Sequence, residues 1–311
     1  MNRATATRRR ARVLLNANAG GKAPLRGSVG AAELAELLER HGVEAEIVVT
    51  GSAEAAAEAA RSADRDGWPM VVAAGGDGTI GNIAEVLLGS NTVLGILPLG
   101  SVMNVARMLE LPRDLESAAA VLATGRARLI DVGVANGHLF YETASVGINA
   151  AMFAAATHFV EGNYGSLGRL LRLVFRYRPA RMELDIDGQR TRTRALMVTV
   201  SNGPYTGVGM TVAPHARLDD GMFDVTVFRH FSKLELLRHL ASISFGRRRY
   251  LPHLRTYRGA RVVIDGRRPL PCRADAIELG NTPLECVVRR ASLRVLAPRP
   301  TPGEVPGESP A

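Results

Sequence analysis

The apolar run Met70-Val71-Val72-Ala73-Ala74 ends in Gly75-Gly76-Asp77-Gly78-Thr79 and passes straight into the helix-forming stretch TIGNIAEVLL. This feature constrains the fold more than any other. An apolar run bounded by glycines reads as a buried strand, and a strand feeding a helix is the unit of a parallel α/β sheet. Glycines at the strand's end let the chain turn tightly and leave backbone N–H groups uncovered. With the helix N-terminus they make an anion site that phosphates can approach closely. Asp77 is out of place in such a site, since it repels phosphate. Its charge is useful only to a metal ion, a ribose hydroxyl or a hydrogen-bond network.

The surroundings repeat the pattern. RVLLNANAG reads as a strand entering an Asn/Gly turn, and VEAEIVVT and TVLGILPLG as two more strands. Between them VGAAELAELLERHG places Leu34, Leu37 and Leu38 on one helical face and stops at Gly42. SAEAAAEAARSA is a helix with Ser52 as its N-cap. VMNVARMLEL and ESAAAVLATG supply two more helices. This alternation across residues 12–125 indicates a parallel sheet, and ligands bind such sheets at the carboxyl ends of the strands. Two further turns sit at such ends. Asn16-Ala17-Asn18-Ala19-Gly20-Gly21-Lys22 offers Lys22 as a point charge for phosphate. It is not a P-loop, because Ala23 stands where the hydroxyl residue belongs and the glycine spacing differs. Pro98-Leu99-Gly100-Ser101 offers a hydroxyl that suits either a phosphoryl oxygen or a helix N-cap.

The chain has 311 residues, enough for two domains of ~150 residues each, and is 46% hydrophobic and 22% charged. That excludes a wholly disordered or fibrous chain. Lys plus Arg number 39 against 30 Asp plus Glu, a net charge of +9 that suits an anionic partner: a nucleotide, a nucleic acid or a lipid surface. The two cysteines exclude a disulfide scaffold. Tyr141–Val160, the most apolar segment, is interrupted by Glu142, Asn149 and His158, so no membrane span is expected. The basic start MNRATATRRRARVLL lacks a signal-peptide core, and a cytoplasmic location is the expectation. Beyond Asp131 the pattern changes to short strands and turns, with one or two helices over 151–178 and another over 232–246. Asn136-Gly137, Asp187-Gly188 and Asp265-Gly266 read as hairpin turns. This half reads as a two-sheet sandwich or open barrel. Residues 1–10 and 299–311 read as disordered tails.

Taken together, LLNANAGGK, VVAAGGDGTI, GILPLGSVMNVARML, RLIDVGVANGHLFYETASVGINAAM, SNGPYTGVGMTVAPHARLDDGMFDV and LECVVRRASLRVLAP resemble the diacylglycerol kinase catalytic-domain family. The match is to its bacterial lipid kinase branch, which is also similar to sphingosine kinases, and it spans residues 12–297. The resemblance implies an α/β N-terminal domain with a parallel sheet, NAD kinase- and diacylglycerol kinase-like, plus a β-rich sandwich second domain carrying the lipid pocket. Domains would run over 11–130 and 131–290, with 291–298 returning to the first. It further implies an ATP-dependent lipid kinase using Mg²⁺, peripheral at the inner membrane face, with no nucleic-acid partner; a homodimer is left open. The family's nucleotide-binding positions fall on Asn16, Lys22, Thr50, Gly75, Gly76, Asp77, Gly78, Thr79, Gly100 and Ser101. Its Asp-Asp-Gly near a structural magnesium falls on Asp219, Asp220 and Gly221, with Met222 beside them.

Several positions depart from the family pattern. Gly-Thr-Ile-Asn-Glu becomes Gly78-Thr79-Ile80-Gly81-Asn82, with Glu85 one turn later. Gly-Thr-Gly-Asn-Asp becomes Gly100-Ser101-Val102-Met103-Asn104. The late Asp-Gly-Glu becomes Asp275-Ala276-Ile277. Glu278 follows, but in a strand it would point to the other face. Phosphoryl transfer needs an in-line acceptor, neutralised phosphate charge and a carboxylate to receive the hydroxyl proton. Asp275 is the candidate for that carboxylate, and Asp219 with Asp220 a candidate hard-cation pair. Arg247-Arg248-Arg249 and Arg172, Arg176 and Arg178 suit anionic lipid or a solvated basic face equally. Two other readings stay open: a kinase acting on a soluble acceptor, and a lipid- or nucleotide-binding protein without turnover, which the missing Glu motivates.

Overall fold

The computed structural model describes residues 8–17, 29–148, 178–207, 209–229 and 254–299. The chain divides into two units, Met1–Asp131 with Ala291–Ala311, and Val132–Arg290.

The first unit alternates strand and helix: β1 (Arg9–Asn16), α1 (Ala31–Arg40), β2 (Val43–Thr50), α2 (Ala53–Arg65), β3 (Met70–Gly75), α3 (Asp77–Val86), β4 (Val93–Pro98), α4 (Asn104–Met108) and α5 (Leu115–Thr124). β5 (Arg126–Ala135) then leads into the second unit. Every residue of β3 is buried, as its unbroken apolar run demands. The helices cover the sheet with the faces their sequences provide. α1 buries Leu34, Leu37 and Leu38, and α2 buries Ala56, Ala60 and Ala63. Ser52 caps α2 by accepting from the Ala55 N–H at 3.1 Å. Two sequence expectations are corrected. β1 begins at Arg9, inside the segment read as a tail, and VMNVARMLEL forms only the short α4, entered through Met103 with φ 59°.

β1 pairs in parallel with β2 on one side and β3 on the other, and β3 pairs in parallel with β4. The last strand of the chain, Leu284–Ala297, returns here: Val295 pairs with Leu94 in parallel, and the Gly89 N–H donates to the Ser292 carbonyl at 2.7 Å. The order β2-β1-β3-β4 reverses direction at β1, which opens a crevice at the carboxyl ends of β1 and β3.

The second unit contains β6 (His138–Phe140), β7 (Thr143–Gly147), β8 (Ala180–Ile186), β9 (Gln189–Ala195), β10 (Met197–Ser201), β11 (Tyr205–Thr206), β12 (Met210–Thr211), β13 (Phe223–Phe228), β14 (Leu254–Gly259), β15 (Arg261–Gly266), β16 (Pro271–Ala274), β17 (Ile277–Asn281) and the first half of β18 (Leu284–Ala297). One antiparallel sheet runs β18-β15-β8-β9 and another β14-β13-β10-β7-β16-β17. Alternation along the strands sends Met182, Leu184, Val262, Ile264 and Leu284 from the first sheet, and Val146, Val198, Val200, Val225 and Ala274 from the second, into one shared core. This is the sandwich of the two alternatives. Asn136-Gly137 and Asp187-Gly188 are hairpin turns with positive φ at both residues. Asp265-Gly266 is not: both residues lie within β15, opposite Glu183 and Met182. The expected strand over GMTVAPHA shrinks to β12. The helices expected over 151–178 and 232–246 lie outside the described residues, apart from Arg178.

Phe140 and Phe223 stack at the centre of this core, ring centroids 5.4 Å apart, and both are fully buried. Burial pushes the Cys272 thiol up to about 12 and the Cys286 thiol upward as well. We expect Phe140→Ala to destabilise the sandwich by about 3–5 kcal/mol, through lost burial and the cavity left behind. Denaturant titration of intrinsic and far-ultraviolet signals measures this.

Candidate active site

The end of β1 and the two glycine-rich bends after β3 and β4 meet at the crevice. The Asn16 side chain, at the end of β1, donates from Nδ2 to Thr79 Oγ1 at 2.9 Å. The Leu99 N–H donates to the Gly75 carbonyl at 3.2 Å, tying the end of β4 to the end of β3. Gly100 comes so close to Gly76 that a Cβ on Gly100 would lie 2.7 Å from the Gly76 Cα. Likewise a Cβ on Gly75 would lie 2.6 Å from Thr79 Oγ1. Gly100 is required by backbone proximity, and Gly75 by the Thr79 side chain. Gly76 caps α3 without a side chain, so the first N–H groups of that helix carry no side-chain cap, and a Cβ on Gly78 would meet nothing within 4 Å. An uncapped helix start beside open space fits a phosphate group.

Asp77 resolves its own puzzle. Its Oδ1 accepts from the Val105 N–H at 3.1 Å, so its charge serves a strut between the starts of α3 and α4. Thr50 is buried, and its hydroxyl donates to the Leu15 carbonyl at 3.3 Å, closing the end of β2 against β1. Ser101 is exposed and is not a helix cap; its carbonyl accepts from Arg113 Nη2 at 2.8 Å. Lys22 lies outside the described residues. Glu85 is exposed and lines a groove of about 590 Å³ between α2 and α3, with Glu54, Arg61 and Asn82.

In the second unit Asp275 is not on a strand face. It occupies the turn between β16 and β17 with φ 43°. Its carboxylate accepts from three successive backbone N–H groups: Tyr141 at 2.7 Å, Glu142 at 3.1 Å and Thr143 at 2.9 Å. Arg273 braces the same turn, donating from Nε to the Asp275 carbonyl at 2.7 Å and from Nη2 to the Ala276 carbonyl at 3.1 Å. Burial lowers the Arg273 guanidinium from its ordinary value, against the pull of Glu278 and Asp275. Around this turn gather Thr143, Ser201 and Asn202, all buried, and Glu142, whose carboxylate accepts from the Gly207 N–H at 3.1 Å. Asn202 donates to the Tyr141 carbonyl at 3.3 Å. Buried polar side chains so concentrated at strand ends mark a site, because each costs free energy unless it is hydrogen-bonded.

Asp219 and Asp220 are engaged differently. Asp219 pairs with Arg217 at 3.3 Å, and Asp220 pairs closely with Arg258 and accepts from the Met222 N–H at 3.1 Å. Burial raises the neighbouring Asp224 carboxyl above its ordinary value; Arg258 opposes this and Asp220 adds to it. As they stand, these carboxylates are neutralised by arginine. Among the described residues no group of three His, Cys, Asp or Glu side chains gathers that could hold a metal ion.

Comparison with known proteins follows the same division of the chain. Residues 10–135 match the model of the diacylglycerol kinase catalytic domain, and residues 143–297 that of the YegS C-terminal NAD kinase beta sandwich-like domain. The chain belongs to the diacylglycerol kinase/YegS-like family of bacterial lipid kinases. It is 27% identical over 300 residues to the protein named diacylglycerol kinase of Bacillus subtilis (strain 168), covering 94% of this chain and 97% of that one. It is 34% identical over 190 residues to the protein named "Probable lipid kinase YegS-like" of Chromohalobacter salexigens, covering 58% and 60%. A solved structure titled as a diacylglycerol kinase from Bacillus anthracis str. Sterne superposes with a TM-score of 0.68 at 17% identity, covering 93% of this chain and 97% of that one. This last likeness shows a common fold.

Ile277, which the sequence resemblance sets where the family's late Asp-Gly-Glu has its Glu, is 42% exposed on β17, and Glu278 beside it is also exposed. Sequence reading missed Glu142, Ser201 and Asn202 as members of the second constellation. The signal lay in YETASVG and SNGPYTG, where polar residues stand in strands otherwise built for the core.

Gly100→Ala is expected to cost about 1–3 kcal/mol, because the added methyl group meets backbone that cannot yield. Gly78→Ala, facing open space in a helix, should leave stability unchanged or slightly raised. Thermal melting of the two variants separates close packing from loop composition, and equal losses would show that the bends are not tightly packed.

Proposed function

We propose that this protein transfers the γ-phosphate of Mg-ATP to the hydroxyl of a membrane lipid such as diacylglycerol or a sphingoid base. The observation that carries this reading is the convergence of the Asn16, Gly75–Thr79 and Gly100 bends at the strand ends of the first unit. Backbone N–H groups there suit phosphate oxygens, and the absent Cβ atoms permit close approach. Gly75, Gly76, Gly78, Thr79, Gly100 and Ser101 are assigned to the nucleotide's phosphates, with Asn16 and Thr50 ordering the strand ends beneath them. Lys22 is assigned to the same phosphates on sequence grounds. Magnesium bound to the nucleotide would supply charge neutralisation at the phosphates.

The second unit supplies the acceptor. Asp275 is the carboxylate we assign to the acceptor hydroxyl's proton. Three backbone N–H groups hold it in one orientation, which is what a positioned base requires. A covalent intermediate is not needed, because phosphoryl transfer is carried by alignment and charge neutralisation. Among the described residues no helix is long and apolar enough to cross a membrane.

The test is incubation with labelled ATP, magnesium and a total lipid extract, followed by identification of the labelled product. Label in a lipid supports the proposal. Label confined to a water-soluble product would favour a soluble acceptor, and ATP binding without transfer would favour a binding protein. Asp77→Ala should weaken ATP binding about ten- to a hundredfold, the effect of losing a charge-assisted strut. Asp275→Asn should lower transfer at least about a hundredfold, as loss of a general base does, while ATP affinity stays unchanged. Calorimetric titration with ATP, beside the transfer assay, distinguishes the two.

A further inference from the structure

The outward face of β15-β8-β9 forms a groove of about 860 Å³ lined by seven arginines and only three carboxylates. Strand alternation places them: Arg181, Glu183 and Asp185 point outward from β8, opposite the core residues Met182 and Leu184, while β9 presents Arg190, Arg192 and Arg194. The register pairs Glu183 with Arg192 and Asp185 with Arg190, and both couples form ion pairs, at 3.0 Å and 3.3 Å. At the other end the register sets Arg181 directly opposite Arg194, where side chains stand about 5 Å apart. The Arg267 N–H donates to the Arg181 carbonyl at 3.3 Å, which brings a third guanidinium to the same corner. Arg229 lines it too, with its buried Nε lacking a hydrogen-bond partner among the described residues.

Like charges directly opposite in a sheet are destabilising. Protection of an edge strand needs only scattered charge on β9, whereas this cluster reaches β8 and the ends of β13 and β15. None of Arg181, Arg194, Arg229 and Arg267 forms an ion pair among the described residues. Of the residues outside the described ones, 149–177 and 230–253 together carry eight Lys and Arg against two Glu, and 300–311 carry two Glu alone. No aromatic side chain lines the groove, so it offers no stacking platform for bases. Guanidinium groups match phosphate oxygens in bidentate geometry.

We propose that the Arg181–Arg194–Arg229–Arg267 corner of the sandwich docks on the phosphate headgroups of an anionic bilayer. This deepens the lipid kinase reading, which supplies the reason for a membrane partner, but it can fail separately. The experiment is co-sedimentation, without ATP, of the full chain with vesicles of phosphatidylglycerol and phosphatidylcholine, or of phosphatidylcholine alone. The variant is Arg181→Gln, Arg194→Gln and Arg267→Gln combined. The control removes the same charge from the first unit, as Arg8→Gln, Arg40→Gln and Arg65→Gln combined. We expect salt-sensitive binding to the anionic vesicles only, weakened roughly a hundredfold in the first variant and within threefold of wild type in the control. The first variant's melting temperature should not fall, since a like-charge contact is relieved. Equal losses in both variants, or an unchanged first variant, overturn the proposal. So does tighter retention on duplex DNA than on vesicles, or a dimer in light scattering that only the first variant dissociates. Phosphate transfer to lipid dispersed in uncharged detergent is measured in parallel. Its absence in wild type would remove the kinase reading and leave the docking result standing.

Discussion

The close approach of Gly76 and Gly100 is the constraint on which the candidate site depends. Parallel strands β3 and β4 end side by side, and each must turn at once into a helix. Two chains turning over the same strand ends collide unless side chains are absent. The glycines remove the collision, and backbone N–H groups left uncovered at such turns suit an anion. Asn16 and Asp77 then hold the bends in place, one from the end of β1 and one across to α4.

In the second unit Asp275 does analogous work by the opposite means. A residue at positive φ turns the chain from β16 to β17, and its carboxylate gathers three N–H groups of the segment entering β7. The carboxylate thereby takes up backbone N–H groups where β7 begins. The result is an acidic group fixed where buried Thr143, Ser201 and Asn202 already concentrate polarity. Any proton transfer at this site would use a carboxylate whose orientation is set by the fold.

How far the fold was legible depended on the period of the apolar pattern. β3, β4, α1 and α2 were readable because continuous apolar runs and a 3.6-residue stripe have few alternatives, and the structure has each of them. Turn chemistry was readable at Asn136-Gly137 and Asp187-Gly188, where both residues need positive φ. It misled at Asp265-Gly266, because a dipeptide cannot report that strand pairing continues through it. α4 was overextended, since Met103 enters it in a left-handed conformation that no propensity foretells. In the candidate site, the glycines and Asn16 were legible as strand-end residues. Asp77's partner was not, because the Val105 N–H is 28 residues away in sequence. Ser101 and the carboxylates of Asp219 and Asp220 were legible as polar groups only, since what they bond depends on arginines brought by tertiary structure.

The departure at Ile277 gains meaning from this geometry. Loss of a carboxylate from a strand ordinarily alters both charge and packing, but Ile277 is partly exposed on β17, so the sandwich core does not depend on its identity. Asp275, two residues before it, is bound into the backbone network at the start of β7 by at least three hydrogen bonds. Asp275 is thus tied to the fold by its hydrogen bonds, while Ile277 is not tied to it by burial. A function that required Glu at 277 would have no structural reason to survive that replacement. The transfer proposed above asks for Asp275 and the glycine bends, and the hydrogen bonds and close contacts that hold those groups also tie together the strand ends of each unit.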